Sequence, residues 1–536
     1  MLAALCAAAG LAGAAPVTVR AQGTLVLDLK DYATLPMTGI PEGTSNDGSL
    51  ARINFMREEP GGAGRFFIND LNGPLYILDK QTRRVSTYLD FNGRDGRGGM
   101  FARMPFVTGF ANGFISFQFD PDYRKNGKLY TIHLEDTSVK GQLIPNTRNA
   151  PGLRLDRYTP TAAVKTPGEV EREAVLIEWT DSNIANTTFE GTARELLRVE
   201  LNTRLHPMGD MIFNPAARPG GADWGVIYIS CGDGGSGEQK SAMRQNPQRL
   251  DTLVGKILRI IPDLTAHTTT STVSDNGRYR IPRDNPFASV AGARKEIWAY
   301  GLRNPHRLSW DVDPVNPSNS HLLAFVIGLQ TWEAIDVIHR GANYGYSERE
   351  GTERLRADNT TTALPAVDEV PVRVSATQTM GTVTPTYPVV AYPHTAAGGD
   401  AITGGFVYRG KLLPALQGKV IYGDITTGKL WYADLKEMLA ADDGKAATLA
   451  AGHEIQLRWD APGNAAAAGR VYPTMFPVVL AAYKTRGGLD PNLPGTSTVS
   501  GPGRADIRLA VDAAGELYVL SKMDGMVRAL AGATAR

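Results

Sequence analysis

One pattern recurs along the chain and limits its fold more than any other. An apolar strand is followed by a short turn of Gly, Asp or Asn, and then by a strand carrying Leu-Tyr or Ile-Tyr. It first occurs in Arg65–Asp79, then in Phe114–His133, then in Met211–Pro215 with Gly225–Ser230. The fourth case is Glu296–Asp311 continued to Ile335–Ile338, and the fifth joins Phe406–Gly410, Gly418–Asp424 and Lys429–Tyr432. The sixth is Ile507–Leu520 with Met526–Leu530. Apolar and polar positions alternate at period two within each unit, and glycine closes it. Six repeated strand units in one chain predict an all-β fold, a six-bladed β-propeller.

The spacing between units is irregular. Residues 262–293, 352–395 and 460–503 are rich in Pro, Gly, Thr and Ala and are expected to be long inserted loops. Helical periodicity of useful length is confined to Lys436–Ala441. The 58 glycines and 33 prolines suit turn-rich β structure rather than a helical bundle. A net charge of +1 gives no electrostatic basis for binding nucleic acid.

Residues 1–21 read as a secretory signal peptide: small and apolar over 1–15, with Val19-Arg20-Ala21 before the cut. That places the expected propeller at 22–536 and the protein in the periplasm or outside the cell. The run is too short for a membrane span, and no other run is long enough. Cys6 leaves with the leader, so Cys231 stands alone and no disulfide framework is expected. There is no Cys-x-x-Cys-His, hence no covalent haem of the c type.

Four stretches carry residues suited to chemistry. His206 sits in the turn Leu205-His-Pro-Met-Gly-Asp210, where it reads either as a general base or as an ordinary surface histidine. The glycines of Ser230–Gly237 allow close approach to a ligand, or simply make a hairpin tip. Arg303 lies on the loop Gly301–Pro305 between two apolar strands, placed to bind a ligand or to tie down carbonyls. Gly328–Asp336 with Gly341–Tyr346 exposes backbone carbonyls that suit a hard cation, or packs as an aromatic hairpin.

Taken together and in order, these segments resemble the glucose/sorbosone dehydrogenase family, whose members include soluble quinoprotein glucose dehydrogenases and aldose sugar dehydrogenases. The matching segments are Phe117–Tyr123 with Asn126–Tyr130, His206 with Gly209, Gly232–Gly235, Gly255–Ile260, Gly301–Pro305, Gly341–Gly345, and Thr403–Gly410 with Gly423-Asp424. The resemblance implies a quinoprotein oxidoreductase. It would oxidise an aldose at the anomeric hydroxyl with hydride transfer to pyrroloquinoline quinone (PQQ), on a Ca²⁺ ion.

By the same resemblance His206 takes the proton and Arg303 stabilises charge on the quinone oxygen. Asn304 hydrogen-bonds that region, and the carbonyls of Gly328 and Leu329 bind Ca²⁺. Arg409 and Lys429 are the cations assigned to the cofactor's carboxylates. Electrons then leave to an external acceptor. The chain departs from the family pattern at Leu205, Ala111-Asn112, His306 and Ile327. With an aspartate missing before His206, either Asp210 or Asp233 is left to orient it. These departures motivate the alternative of a non-catalytic propeller that binds a carbohydrate or protein partner through the same face.

Overall fold

Six innermost strands form a closed ring around one axis, each packed against the next. They are Ile53–Glu58, Phe114–Phe119, Met208–Phe213, Asn304–Asp311, Ile402–Val407 and Ile507–Val511. Each starts a sheet that runs outward by antiparallel pairing, for instance Ile53–Glu58, Arg65–Asp70, Pro74–Asp79 and Val85–Asp90 in the first blade. The computed structural model describes residues 25–43, 48–92, 99–104, 112–313, 315–460 and 469–535. The signal peptide read at 1–21 and the departure at Ala111 lie outside them.

The sixth blade takes three strands from the C-terminal end, and Leu25–Thr34 adds its outermost strand by pairing with Met526–Ala535. Leu25–Leu29 also pairs in parallel with Ile455–Trp459 of the fifth blade, so these two blades share a continuous sheet. Blade strands are apolar on both faces because each sheet lies between two others. Phe66, Phe67 and Ile68 are consecutive and all fully buried for this reason.

The glycine-arginine stretch at 301–303 is not inside a blade. Ile297–Tyr300 is the outer strand of the third blade and Asn304–Asp311 the inner strand of the fourth. Gly301–Arg303 is therefore an inter-blade crossing, which brings Arg303 to the end of the ring where inner strands begin.

The expected long loops are corrected in part. Segment 460–503 contains a helix, Phe476–Thr485, with Val478, Val479, Ala482 and Tyr483 buried. Its periodicity is masked in the sequence by Pro477 and by alanines, although proline in the first turn suits a helix start. Segments 262–293 and 352–395 form small hairpins, Ser271–Val273 with Arg280–Pro282 and Val370–Arg373 with Thr379–Val383. Leu435–Ala441 is helical, as its periodicity predicts.

Candidate active site

His206 lies two residues before the first residue of the inner strand Met208–Phe213 and has a positive φ of 48°. The glycine turn packs directly on it: Gly232 N–H donates to the Pro207 carbonyl at 2.9 Å and Gly234 N–H to the His206 carbonyl at 3.1 Å. A Cβ at position 232 would lie 2.4 Å from the His206 carbonyl oxygen, so only glycine fits there.

Asp233 orients the imidazole. Its Oδ1 lies 2.7 Å from His206 Nδ1, and its other bonds come from Gly235 N–H to Oδ1 at 2.9 Å and Gly237 N–H to Oδ2 at 2.8 Å. Burial pushes the Asp233 carboxyl up, but His206, Arg303 and the Gly235 amide together hold it below its ordinary value. An ionised Asp233 accepts the Nδ1 proton and leaves the Nε2 lone pair free to take another. Nε2 has no hydrogen-bond partner among the described residues. Asp210, the other carboxylate left to orient His206, turns away to Arg57 at 2.7 Å and to the Leu308 amide at 3.0 Å.

Arg303 is beside this pair. Its own carbonyl accepts from Asp233 N–H at 2.7 Å. Its guanidinium donates from Nη1 to the carbonyls of Gly328 and Ile327, and from Nη2 to Glu238 Oε1 at 3.3 Å. Burial works against its charge, but Glu238, Tyr346, Asp233 and Glu350 raise its pKa above the ordinary value.

Glu238 was not singled out by the sequence. Its Oε1 is also 3.8 Å from His206 Nδ1. The only sequence signal was an acid closing a glycine-rich turn. The inserted segment after residue 352 secures this turn: Asn359 Nδ2 donates to the Glu238 carbonyl at 3.2 Å, and Arg244 donates to the Arg356 carbonyl at 2.7 Å.

The remaining assigned residues scatter. Asn304 starts the inner strand next to Arg303, and its side-chain amide has no partner among the described residues. Lys429 is at the same end of its blade but caps the carbonyls of Ala396 and Ala397. Arg409 is not brought to the site. It bonds Asp311 at 2.5 Å, at the far end of the strand that begins at Asn304. Seven strand steps put it roughly 23 Å away.

Other cations line the channel instead. Arg307 and Arg508 both reach Asn54 Oδ1, at 3.1 and 3.2 Å. Arg508 also pairs with Asp506 at 2.8 Å, while the Lys522 ammonium, 3.8 Å from Asp506, makes no hydrogen bond to a described residue. Burial, then Arg508, pushes Lys522 well below its ordinary value, with Arg52 and Arg307 adding repulsion. His306 is caught in the same field. Burial first, then Arg307, Arg508, Lys522 and His206, keep it neutral, and its Nε2 is buried without a partner. The sequence marked His306 only as a departure from the family pattern, and no motif marked Asn54, Arg307, Arg508 or Lys522, which come from the first, fourth and sixth blades.

The channel suits a polyanion: the repulsion on Lys522 is relieved by an incoming carboxylate. The residues assigned to Ca²⁺ do not suit a divalent ion as they stand. Arg303 already occupies the Gly328 carbonyl, one of the two carbonyls assigned to the ion.

The profile of a family described as Glucose / Sorbosone dehydrogenase matches residues 62–458. The chain belongs to the glucose/sorbosone dehydrogenase family. Within reach of this family are HIPL1 protein of Arabidopsis thaliana, 25% identical over 389 residues, or 70% of this chain and 51% of that protein. Human Hedgehog-interacting protein is 26% identical over 259 residues, 48% of this chain and 29% of that one. The chain thus spans about half or less of the length of these curated relatives. The PQQ-bound form of aldose sugar dehydrogenase from Streptomyces coelicolor superposes with a TM-score of 0.51 at 16% identity, covering 96% of this chain and 100% of that one. That likeness shows the shared propeller fold. No helix of the described residues is long and apolar enough to cross a membrane.

Proposed function

We propose that this family member is a quinoprotein that oxidises an aldose or related sugar at its anomeric hydroxyl. The observation that carries the reading is His206, held through Nδ1 by Asp233 with Nε2 open, next to Arg303 at the mouth of a cation-lined channel. Bound over that mouth, PQQ supplies the acceptor for the hydride. His206 Nε2 takes the proton of the sugar hydroxyl, and Asp233 stabilises the imidazolium that results. Arg303 offers a fixed positive charge beside the base, suited to negative charge that grows as the proton leaves. Arg508 and Lys522 are the groups available to carboxylates of the cofactor. The protein works in the periplasm or outside the cell and passes its electrons to a separate acceptor.

The test is to titrate the purified chain with PQQ and follow dye reduction over a panel of aldoses. Uptake with turnover, abolished in His206→Ala, is the expected result. A second reading, in which the same face binds a protein or carbohydrate without turnover, draws on the matched relative named for a protein it interacts with. Absence of quinone uptake would favour that reading and end the first.

A further inference from the structure

Gly328 is held with unusual firmness. A Cβ there would lie 1.7 Å from the Trp332 carbonyl oxygen, so the turn cannot open without moving backbone. Its amide donates to Glu333 Oε1 at 3.1 Å. The next four amides, of Leu329, Gln330, Thr331 and Trp332, all point at Glu350 Oε1, at 2.8 to 3.2 Å. The carbonyl of Gly328 is thus fixed in place, and any cation that uses it has to come to it.

One cation has. Arg303 Nη1 donates to this carbonyl and, at 3.3 Å, to that of Ile327. We infer that the Arg303 guanidinium fills the place of a divalent cation at the Gly328 carbonyl, so that the site receives its anionic cofactor without calcium. This inference rests on the reading of the site as a quinone site.

Three further observations support it. Calcium takes six to eight oxygens, and Glu333 and Glu350 beside the turn leave one oxygen between them without a partner. Glu333 spends Oε1 on His394 at 2.7 Å and on Gly328, and Oε2 on the Ile402 amide at 2.7 Å. Glu350 spends Oε1 on the four amides, leaving Oε2 as its one buried oxygen without a partner. The negative charge around the site is also matched to a resident cation, since Glu238 holds the outer edge of the guanidinium and Asp233 and Glu350 act on it through space. Finally, a guanidinium keeps its charge at every relevant pH and offers planar donors that fit two adjacent carbonyls. A metal at the same oxygen would face that charge at contact distance.

The experiment uses the full chain and PQQ itself, with binding read by quenching of tryptophan fluorescence in excess EGTA and in millimolar CaCl₂. The dissociation constants are expected to agree within about twofold. Binding that weakens about tenfold or more in EGTA overturns the inference. If PQQ binds under neither condition, the proposed function fails, and the inference is decided by terbium(III) alone. Trp332 adjoins Gly328 and would sensitise emission from a lanthanide held there. The expected result is no such emission from the unmodified chain and its appearance in Arg303→Gln, with Arg303→Lys remaining dark. Emission from the unmodified chain that is lost in Trp332→Phe overturns the inference.

Discussion

His206 Nδ1 and Asp233 Oδ1 are 2.7 Å apart, and no other carboxylate oxygen lies within hydrogen-bond distance of that imidazole among the described residues. The pair joins two segments 27 positions apart, through a glycine turn that only glycine can make. Asp233→Asn leaves the shape nearly unchanged but can no longer enforce Nδ1–H. Turnover should fall by about 10²-fold or more while quinone uptake is retained. The carboxyl is held below its ordinary value, so its share of stability exists above the ordinary carboxyl range and is lost as pH falls through the lower folded value. Melting curves of the two proteins should therefore differ at neutral pH and converge in acid.

Asp336 offers the opposite sign. Burial, with a smaller push from Asp442, raises its carboxyl to about 8. The proton is favoured by the fold, so stability is full below the ordinary carboxyl range and is lost as pH rises through about 8. Near neutrality the strain is on the order of 4 kcal/mol, from about three pH units at 1.36 kcal/mol each. Asp336→Asn should melt higher than the unmodified chain at about pH 7 and no higher at about pH 4. Equal melting at both values would show that the carboxyl is solvated in solution.

Gly328→Ala tests the rigidity of the turn. The added methyl meets the Trp332 carbonyl, which is backbone and cannot rotate away. A loss of about 1–3 kcal/mol in unfolding free energy is expected. Quinone uptake should fall with it, because Arg303 loses the carbonyl that fixes its guanidinium. A variant with unchanged stability would mean that the turn relaxes.

The architecture was legible in the sequence because blade strands repeat a local pattern: Leu-Tyr or Ile-Tyr after a glycine turn marks the second or third strand of every blade but the fourth. The position of Arg303 was legible for the same reason, as a break between two apolar strands. Its partners were not. Glu238 is one acid in a glycine turn, and Lys522 follows an ordinary strand, Leu517–Ser521. Strand pairing within the third blade brings Glu238 to His206, and closure of the ring brings Lys522 to Arg307. Arg409 shows the converse error. It lies in a segment matching the family, but strand direction carries it to the other end of the blade.

Arg409→Ala should accordingly leave quinone uptake and turnover untouched. The Arg409–Asp311 pair is about one-third exposed on the arginine side, at 35%. Its loss should cost about 0–1 kcal/mol, as for other open ion pairs. Weaker quinone binding in this variant would place the cofactor at the opposite face.

Lys522 carries the last prediction, and here stability and binding should move in opposite directions. Its ammonium is buried, makes no hydrogen bond to a described residue, and faces Arg508, Arg52 and Arg307 with Asp506 at 3.8 Å as its one acidic neighbour there, so the fold holds it at a cost. Lys522→Met removes one like charge and keeps the length of the side chain. The melting temperature should rise or hold, while PQQ affinity drops by roughly ten- to a hundredfold, the worth of one charge-assisted hydrogen bond. The salt dependence of binding should become shallower, since one fewer charge meets the anion. If the variant instead melts lower and binds PQQ as before, the cluster holds the blades together rather than a ligand. Repulsion among Arg307, Arg508 and Lys522 would then have to be neutralised by Asp506 and Asp210 alone.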